Sequence, residues 1–156
     1  MELGYSISYD DLNSESYTAE MTSVYSCFRK SSACLSSIHD LISGDFSLGK
    51  LVSDQELDVV PSPSNPFPGF SCKTKQVQQL CFNKNERVFV LAGKSNYYSG
   101  GLITNTHGSK NGSQCDAIQI ECPSTLRRAN NLEPFAAKLV VSLHHFLKMH
   151  YADWKN

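Results

Sequence analysis

Three short stretches of this chain carry residue types that do chemistry. The first is Tyr98-Ser99-Gly100-Gly101-Leu102-Ile103-Thr104, where paired glycines let a backbone approach a ligand or another strand closely. The second is His107-Gly108-Ser109, an ionisable ring at the head of a polar, glycine-containing loop that runs to Ser113. The third is Gln119-Ile120-Glu121, which puts a carboxylate at the end of an apolar stretch. In open α/β sheets ligands bind outside the carboxyl ends of strands, and a carboxylate there is placed to act as a general base. Composition alone favours a plainer reading, a strand-end glutamate beside a glycine turn.

The elements that must position these residues follow from periodicity. Leu3, Tyr5, Ile7 and Tyr9 alternate, which predicts a strand from the first residues, ending in the turn-like Asp10-Asp11-Leu12-Asn13. Asn13 or Ser14 is expected to cap a helix through Glu15, Met21, Val24 and Phe28. A second helix is expected over residues 33–43 with Gly44 as its C′ residue, then a short one over 47–53 and a brief strand over 57–60. Residues 61–69 hold four prolines and read as a loop, because proline removes backbone donors. Residues 72–85 show no period, and 87–91 read as a strand. Residues 97–104 start extended. Residues 117–122 form the clearest strand, expected to be central and buried, with Pro123 stopping it.

The clearest helix is the last, over residues 132–150. Leu132, Phe135, Ala136, Leu139, Val140, Leu143, Phe146 and Leu147 follow helical spacing, with Asn131 as cap and Pro134 in the first turn. This stripe is expected to face the core, and His144, His145 and His150 to lie on the helix surface. Strands alternating with helices predict one α/β domain over 1–156, a layered, mixed or parallel sheet with flanking helices.

Composition narrows the function classes. The formal net charge is −1 and the 14 Lys and Arg are scattered, so the basic stripe of a nucleic-acid binder is missing. No apolar run approaches the roughly 20 residues that span a bilayer. Residues 1–5 lack the basic and apolar regions of a signal peptide, which predicts a cytoplasmic protein with most of its 6 cysteines reduced. The even cysteine count and the sequon Asn111-Gly112-Ser113 keep a secreted, disulfide-linked matrix or surface protein open as an alternative.

Tyr97-Tyr98-Ser99-Gly100-Gly101-Leu102-Ile103-Thr104, His107-Gly108-Ser109, Asp116 to Glu121 and Leu126-Arg127 together resemble the N-formylglutamate amidohydrolase family. Glu2-Leu3-Gly4-Tyr5, Ser37-Ile38, Leu41-Ile42, Ser47-Leu48-Gly49 and the run from Val60 to Pro66 extend the resemblance upstream, and residues 72–93 stand outside it as an expected insertion. The resemblance implies a fold like that of zinc carboxypeptidases and hydrolysis of the amide of a small N-acylated acidic amino acid. It implies zinc, which would polarise the scissile carbonyl and acidify a bound water. By the same resemblance Glu121 handles the proton with His107 beside it. Ser99, Gly100, Gly101 and Thr104 line the substrate, and Arg127 meets a substrate carboxylate.

Two departures shape the expectation. The family's metal-binding histidine and acidic residues precede the block that matches Glu2-Leu3-Gly4-Tyr5, and Asn105-Thr106 stand where the family carries arginine. This chain is therefore expected to be truncated at its front, not to bind catalytic zinc alone, and to associate through exposed strand edges. The alternative within the same fold is a non-catalytic remnant that binds a ligand or partner.

Overall fold

The segment from Glu2 to Ser8 organises the fold: a strand was expected through Tyr9, but only Glu2–Gly4 is strand and the chain bends at Ser6, which takes φ 63°. A computed structural model describes residues 1–67 and 97–151. Strand β1 (Glu2–Gly4) pairs antiparallel with β2 (Gln119–Glu121), with Glu2 opposite Glu121, Leu3 opposite Ile120 and Gly4 opposite Gln119. On its other side β1 makes a parallel bridge to Val60, with Leu3 N–H donating to Val60 O at 2.8 Å and Val60 N–H to Met1 O at 3.1 Å. Among the described residues the sheet is thus two short antiparallel strands with one isolated parallel bridge beside them, set among six α-helices; the layered mixed or parallel sheet that was expected is not formed by these residues. The expected strand over 87–91 and the insertion over 72–93 lie outside the described residues.

The helices are α1 (Tyr9–Ser14), α2 (Tyr25–Lys30), α3 (Ile38–Ile42), α4 (Leu48–Ser53), α5 (Leu102–His107) and α6 (Ala129–His150), with 3-10 turns at Ala19–Met21 and Lys110–Gly112. Their starts are set by short polar side chains. Ser8 caps α1, accepting from Asp11 N–H at 3.1 Å, and the acidic Asp10 and Asp11 sit in the first turn where the helix dipole favours them. Ser47 caps α4 in the same way, accepting from Lys50 N–H at 3.0 Å. At α3 the Ser37 and Asp40 side chains form a reciprocal capping box.

These caps correct several expectations. The chain forms α1 where a turn was expected at Asp10 to Asn13. The single helix expected from Asn13 or Ser14 to Phe28 is broken, because Glu15 leaves α1 in the left-handed region at φ 53° and the helix restarts only at Tyr25. The second helix begins at Ile38 rather than at residue 33, since the Asp40 carboxylate also takes the Ser36 and Ser37 N–H groups at 2.7 and 2.9 Å and closes the helix there. Gly44 holds the expected C′ position, donating to His39 O at 2.9 Å.

The core gathers Leu3 of β1, Tyr5 and Ile7 just beyond it, and the inward faces of the short helices. Leu3, Tyr5, Leu41, Ile42, Leu48 and Val52 are fully buried. Helix α6 packs on α4 and contributes Phe135 and Phe146 to the interior, with Leu139 and Leu143 partly buried against the same cluster. Ser142 ties the two helices, its hydroxyl donating to Leu51 O at 3.0 Å. Leu132 and Val140 depart from the expected core stripe at 49 and 63 % exposed. Helix α6 also starts at Ala129, ahead of the expected Asn131 cap, which leaves Pro134 beyond the first turn. The expected strand over 117–122 is shorter and less buried than its pattern suggested: only Gln119–Glu121 is strand, and all three residues are half-buried. No helix among the described residues is long and apolar enough to cross a membrane.

His150 corrects the surface reading given to all three helix histidines, for it is 1 % exposed. Its Nε2 lies 2.7 Å from Phe46 O and its Nδ1 2.7 Å from Ser31 Oγ. A carbonyl only accepts, so Nε2 carries the proton and Nδ1 accepts from the serine hydroxyl. Burial pushes the His150 pKa below the usual histidine value, against the opposing pull of the Phe46 carbonyl.

Two outcomes follow from this packing. Leu48→Ala should lower stability by about 2–5 kcal/mol and Leu132→Ala by less than about 1 kcal/mol, read from urea unfolding midpoints. Because the folded His150 binds its proton less readily than the unfolded one, its contribution is complete above the ordinary histidine pKa and is lost as pH falls through the folded value. Unfolding free energy should therefore drop on acidification below about pH 6.5, and the drop should shrink in His150→Gln.

Candidate functional site

The residues singled out by chemistry are held where the 97–101 segment crosses β1 and meets β2. Gly4 makes the crossing possible: a Cβ there would stand 2.5 Å from Gly100 N, 2.6 Å from Tyr98 O and 2.7 Å from the Ser99 carbonyl carbon. Ser6 N–H donates to Ser99 O at 2.6 Å, and the Tyr97 hydroxyl, deep in the core, donates to Leu3 O at 2.6 Å. Gly100 then turns the chain at φ 116°, a conformation that L side chains rarely adopt, and α5 begins at Leu102. The stretch 97–104, expected only to start extended, turns at Gly100 and is helical from Leu102.

In β2 successive side chains alternate between faces. Ile118 and Ile120 pack on the core, so Gln119 and Glu121 share the opposite face. The Gly101 N–H donates to Gln119 Oε1 at 2.5 Å, and Gln119 Nε2 donates to Glu121 Oε1. One carboxamide therefore bridges the Gly100-Gly101 turn to the Glu121 carboxylate. Across the strand pair stands Glu2, whose Oε2 accepts from Tyr98 N–H at 2.9 Å. Burial pushes the Glu2 carboxyl above the usual glutamate value and the nearby Glu121 charge acts in the same direction, while the Tyr98 N–H opposes both.

Of the residues expected at a site, Gly100, Gly101 and Glu121 come together through this bridge, with Ser99 beside them. Thr104 is 1 % exposed, and its hydroxyl donates to Gly101 O at 3.0 Å, so it closes the first turn of α5 from beneath. His107 ends α5, exposed, and at the helical rise its Cα lies about 8 Å along the axis from the α5 start. It belongs to the helix and not to the polar loop where it was expected, and no hydrogen bond joins it to Glu121. Arg127 is exposed and follows β2 in a turn, its Nε donating to Cys122 O at 3.0 Å.

Asp116, part of the same sequence block, serves the scaffold: it accepts from Cys27 N–H at 3.0 Å, the Ser109 hydroxyl at 2.5 Å and the Tyr151 hydroxyl at 3.0 Å. Cys27, Cys34, Cys115 and Cys122 are free thiols, and burial pushes the Cys27 thiol up to about 12.

Zinc fits these residues poorly. A catalytic zinc takes three protein ligands at about 2.0–2.3 Å with one open position. Among the described residues no group of three or more His, Cys, Asp and Glu side chains is placed to hold a metal ion, and Glu121 is already engaged by Gln119.

Gln119 and Glu2 were not singled out from the sequence. The signal for Gln119 was present in its spacing, since position i−2 from Glu121 shares its face on a strand. Nothing local announced Glu2, because the pairing of residues so far apart is set by the register of β1 on β2.

The two glycines of the turn should answer differently to substitution. Gly100→Ala meets Thr104 from a left-handed backbone and should destabilise the chain by about 1–3 kcal/mol. At Gly101 a Cβ meets only the movable end of Gln119, at 3.1 Å. Gly101→Ala should leave the unfolding midpoint nearly unchanged, and thermal or urea unfolding of the two variants checks the contrast.

No family model, curated protein or solved structure matches this chain.

Proposed function

We propose that this chain is an amidohydrolase-like α/β domain, of the layered kind found in zinc carboxypeptidases, that binds a small N-acylated acidic amino acid at the edge formed by Gly100, Gly101, Gln119 and Glu121. The observation that carries this reading is the Gln119 bridge. Its carboxamide takes the Gly101 N–H with its oxygen and gives an N–H to Glu121. An N-acyl amide offers the same two functions in the same order, a carbonyl acceptor and an N–H donor. When the Gln119 side chain swings aside, such a ligand replaces both bonds without leaving a polar group unpaired, which is the condition for favourable exchange at a half-buried site. Arg127, just past the strand end, is the cation we assign to a ligand carboxylate.

Zinc would polarise an amide carbonyl in a hydrolase of the family this sequence resembles. Among the described residues no group forms a chelate for it, and the reading rests on recognition of the amide at the Gln119 bridge. Within the edge Glu121 accepts the amide N–H, the Gly101 N–H fixes the carbonyl, and the buried Thr104 hydroxyl anchors the Gly101 carbonyl on the far side of that residue.

Amide-resolved NMR titration with N-formyl-L-glutamate tests the proposal. The Gly101 amide, the Gln119 side-chain amide and residues around Glu121 should shift on binding, and free glutamate, which lacks the acyl amide, should shift them far less. Gln119→Ala should tighten binding severalfold, because the ligand no longer displaces an internal amide. Equal responses to N-formylglutamate and glutamate, or none to either, would sink the reading. Formate release that requires added zinc and is lost in Glu121→Gln would instead make the chain an enzyme.

A further inference from the structure

Helix α6 presents a second, solvent-facing seam that the core does not use. At about 100° per residue, Glu133, Ala137, Val140, Val141, His144 and Lys148 fall on one face. It is turned away from Phe135, Phe146 and His150, which pack inward. Val140 and Val141 are 63 and 40 % exposed, Glu133, Ala137 and Lys148 are exposed, and His144 is half-buried. Two β-branched apolar residues at the middle of a long helix, flanked by an alanine, are unusual as a solvated face. The spacing of three and four residues is that of a helix-pairing seam.

We propose that this face is an antiparallel docking surface for α6 of a second copy of the chain. The charge order along the helix selects that partner. A two-fold axis passing between Val140 and Val141 sets the Val140 of one copy against the Val141 of the other. It sets Ala137 against His144, where the small alanine side chain admits the ring. It sets Glu133 against Lys148, and the symmetry makes that ion pair twice. The axis also falls within about one residue of the middle of Ala129–His150, so nearly the whole helix overlaps with its copy. A parallel arrangement would oppose Glu133 to Glu133 and Lys148 to Lys148, setting like charges across the seam, and is disfavoured. A single helix pair buries less than a standard interface of about 1,600 Å², so the association is weak and depends on concentration.

Sedimentation velocity of the full chain across the micromolar range, at low and high salt, is the test. The chain should self-associate, and more weakly at high salt. Val140→Glu should abolish association. Glu133→Lys and Lys148→Glu each oppose like charges twice and should weaken it by about tenfold or more, whereas the double reversal should return it to within about threefold of the original. This last comparison separates docking from damage to the helix. Each reversal places a charge unfavourably for the helix dipole, so a purely structural effect makes the double variant worse than either single one. Circular dichroism reports the helix content of each variant. A chain that stays monomeric throughout, association unaffected by Val140→Glu, or a double reversal no better than the singles would each overturn the proposal.

Discussion

Gly4 has no room for a side chain, and much of the fold follows from that. Its Cα faces the backbone of Tyr98, Ser99 and Gly100 at distances where a Cβ would overlap three main-chain atoms. The contact lets residues 97–101 lie across β1. From there hydrogen bonds of Ser99, Tyr97 and Tyr98 fasten them to Ser6, Leu3 and Glu2. Strand β1 is in consequence surrounded: Val60 on one side, β2 on the other and the glycine turn over its face. Tyr5 extends the same path, its carbonyl accepting from Ser23 N–H at 2.8 Å and bringing the α2 region to the strand. A short strand with so many partners has its polar backbone satisfied and its apolar side chains free to fill the core.

The candidate site is a by-product of that crossing. The turn that clears Gly4 points the Gly101 N–H at β2, and the alternation of β2 brings Gln119 and Glu121 to meet it. Glu2 lies opposite Glu121 because the register that seats Leu3 in the core leaves its neighbour on the other face. Burial raises the affinity of the Glu2 carboxyl for a proton, and the Glu121 charge across the strand pair adds to the effect. The edge is therefore rich in acceptors. It suits a ligand that brings an N–H to Glu121 and takes the Gly101 N–H in return.

Much of this was legible in the sequence wherever short-range chemistry decided the outcome. The 47–53 segment announced itself by the apolar spacing of Leu48, Leu51 and Val52, and Gly44 by its place after Ile42. The long period of α6 gave Phe146 as a residue of the core cluster, Leu139 and Leu143 as residues packed against it, and Phe135 as a buried one. Long-range constraints were not legible. Glu15 enters the left-handed region and cuts a plausible helix in two, although glutamate carries no preference for that conformation. The 117–122 run reads as a buried strand from its isoleucines, yet only one of its faces meets the core, so it pairs briefly and stays half-buried. The last turn of α6 looked like solvated histidines, and His150 is buried because Phe46 and Ser31 reach it from elements more than a hundred residues away. At the site, glycines and Glu121 stood out by type, whereas Gln119 and Glu2 matter through pairing that no local pattern encodes.

Native-state hydrogen exchange followed by NMR tests the central role of β1 most directly. The amides of Leu3, Ser6 and Ser23, which tie Val60, Ser99 and Tyr5 into one unit, should exchange only through global unfolding. They should therefore be among the slowest in the chain. Exchange of Ser6 as fast as that of the exposed residues of α5, with Leu3 still protected, would show that the 97–101 segment is not fastened to β1. It would contradict the account of both the crossing and the site.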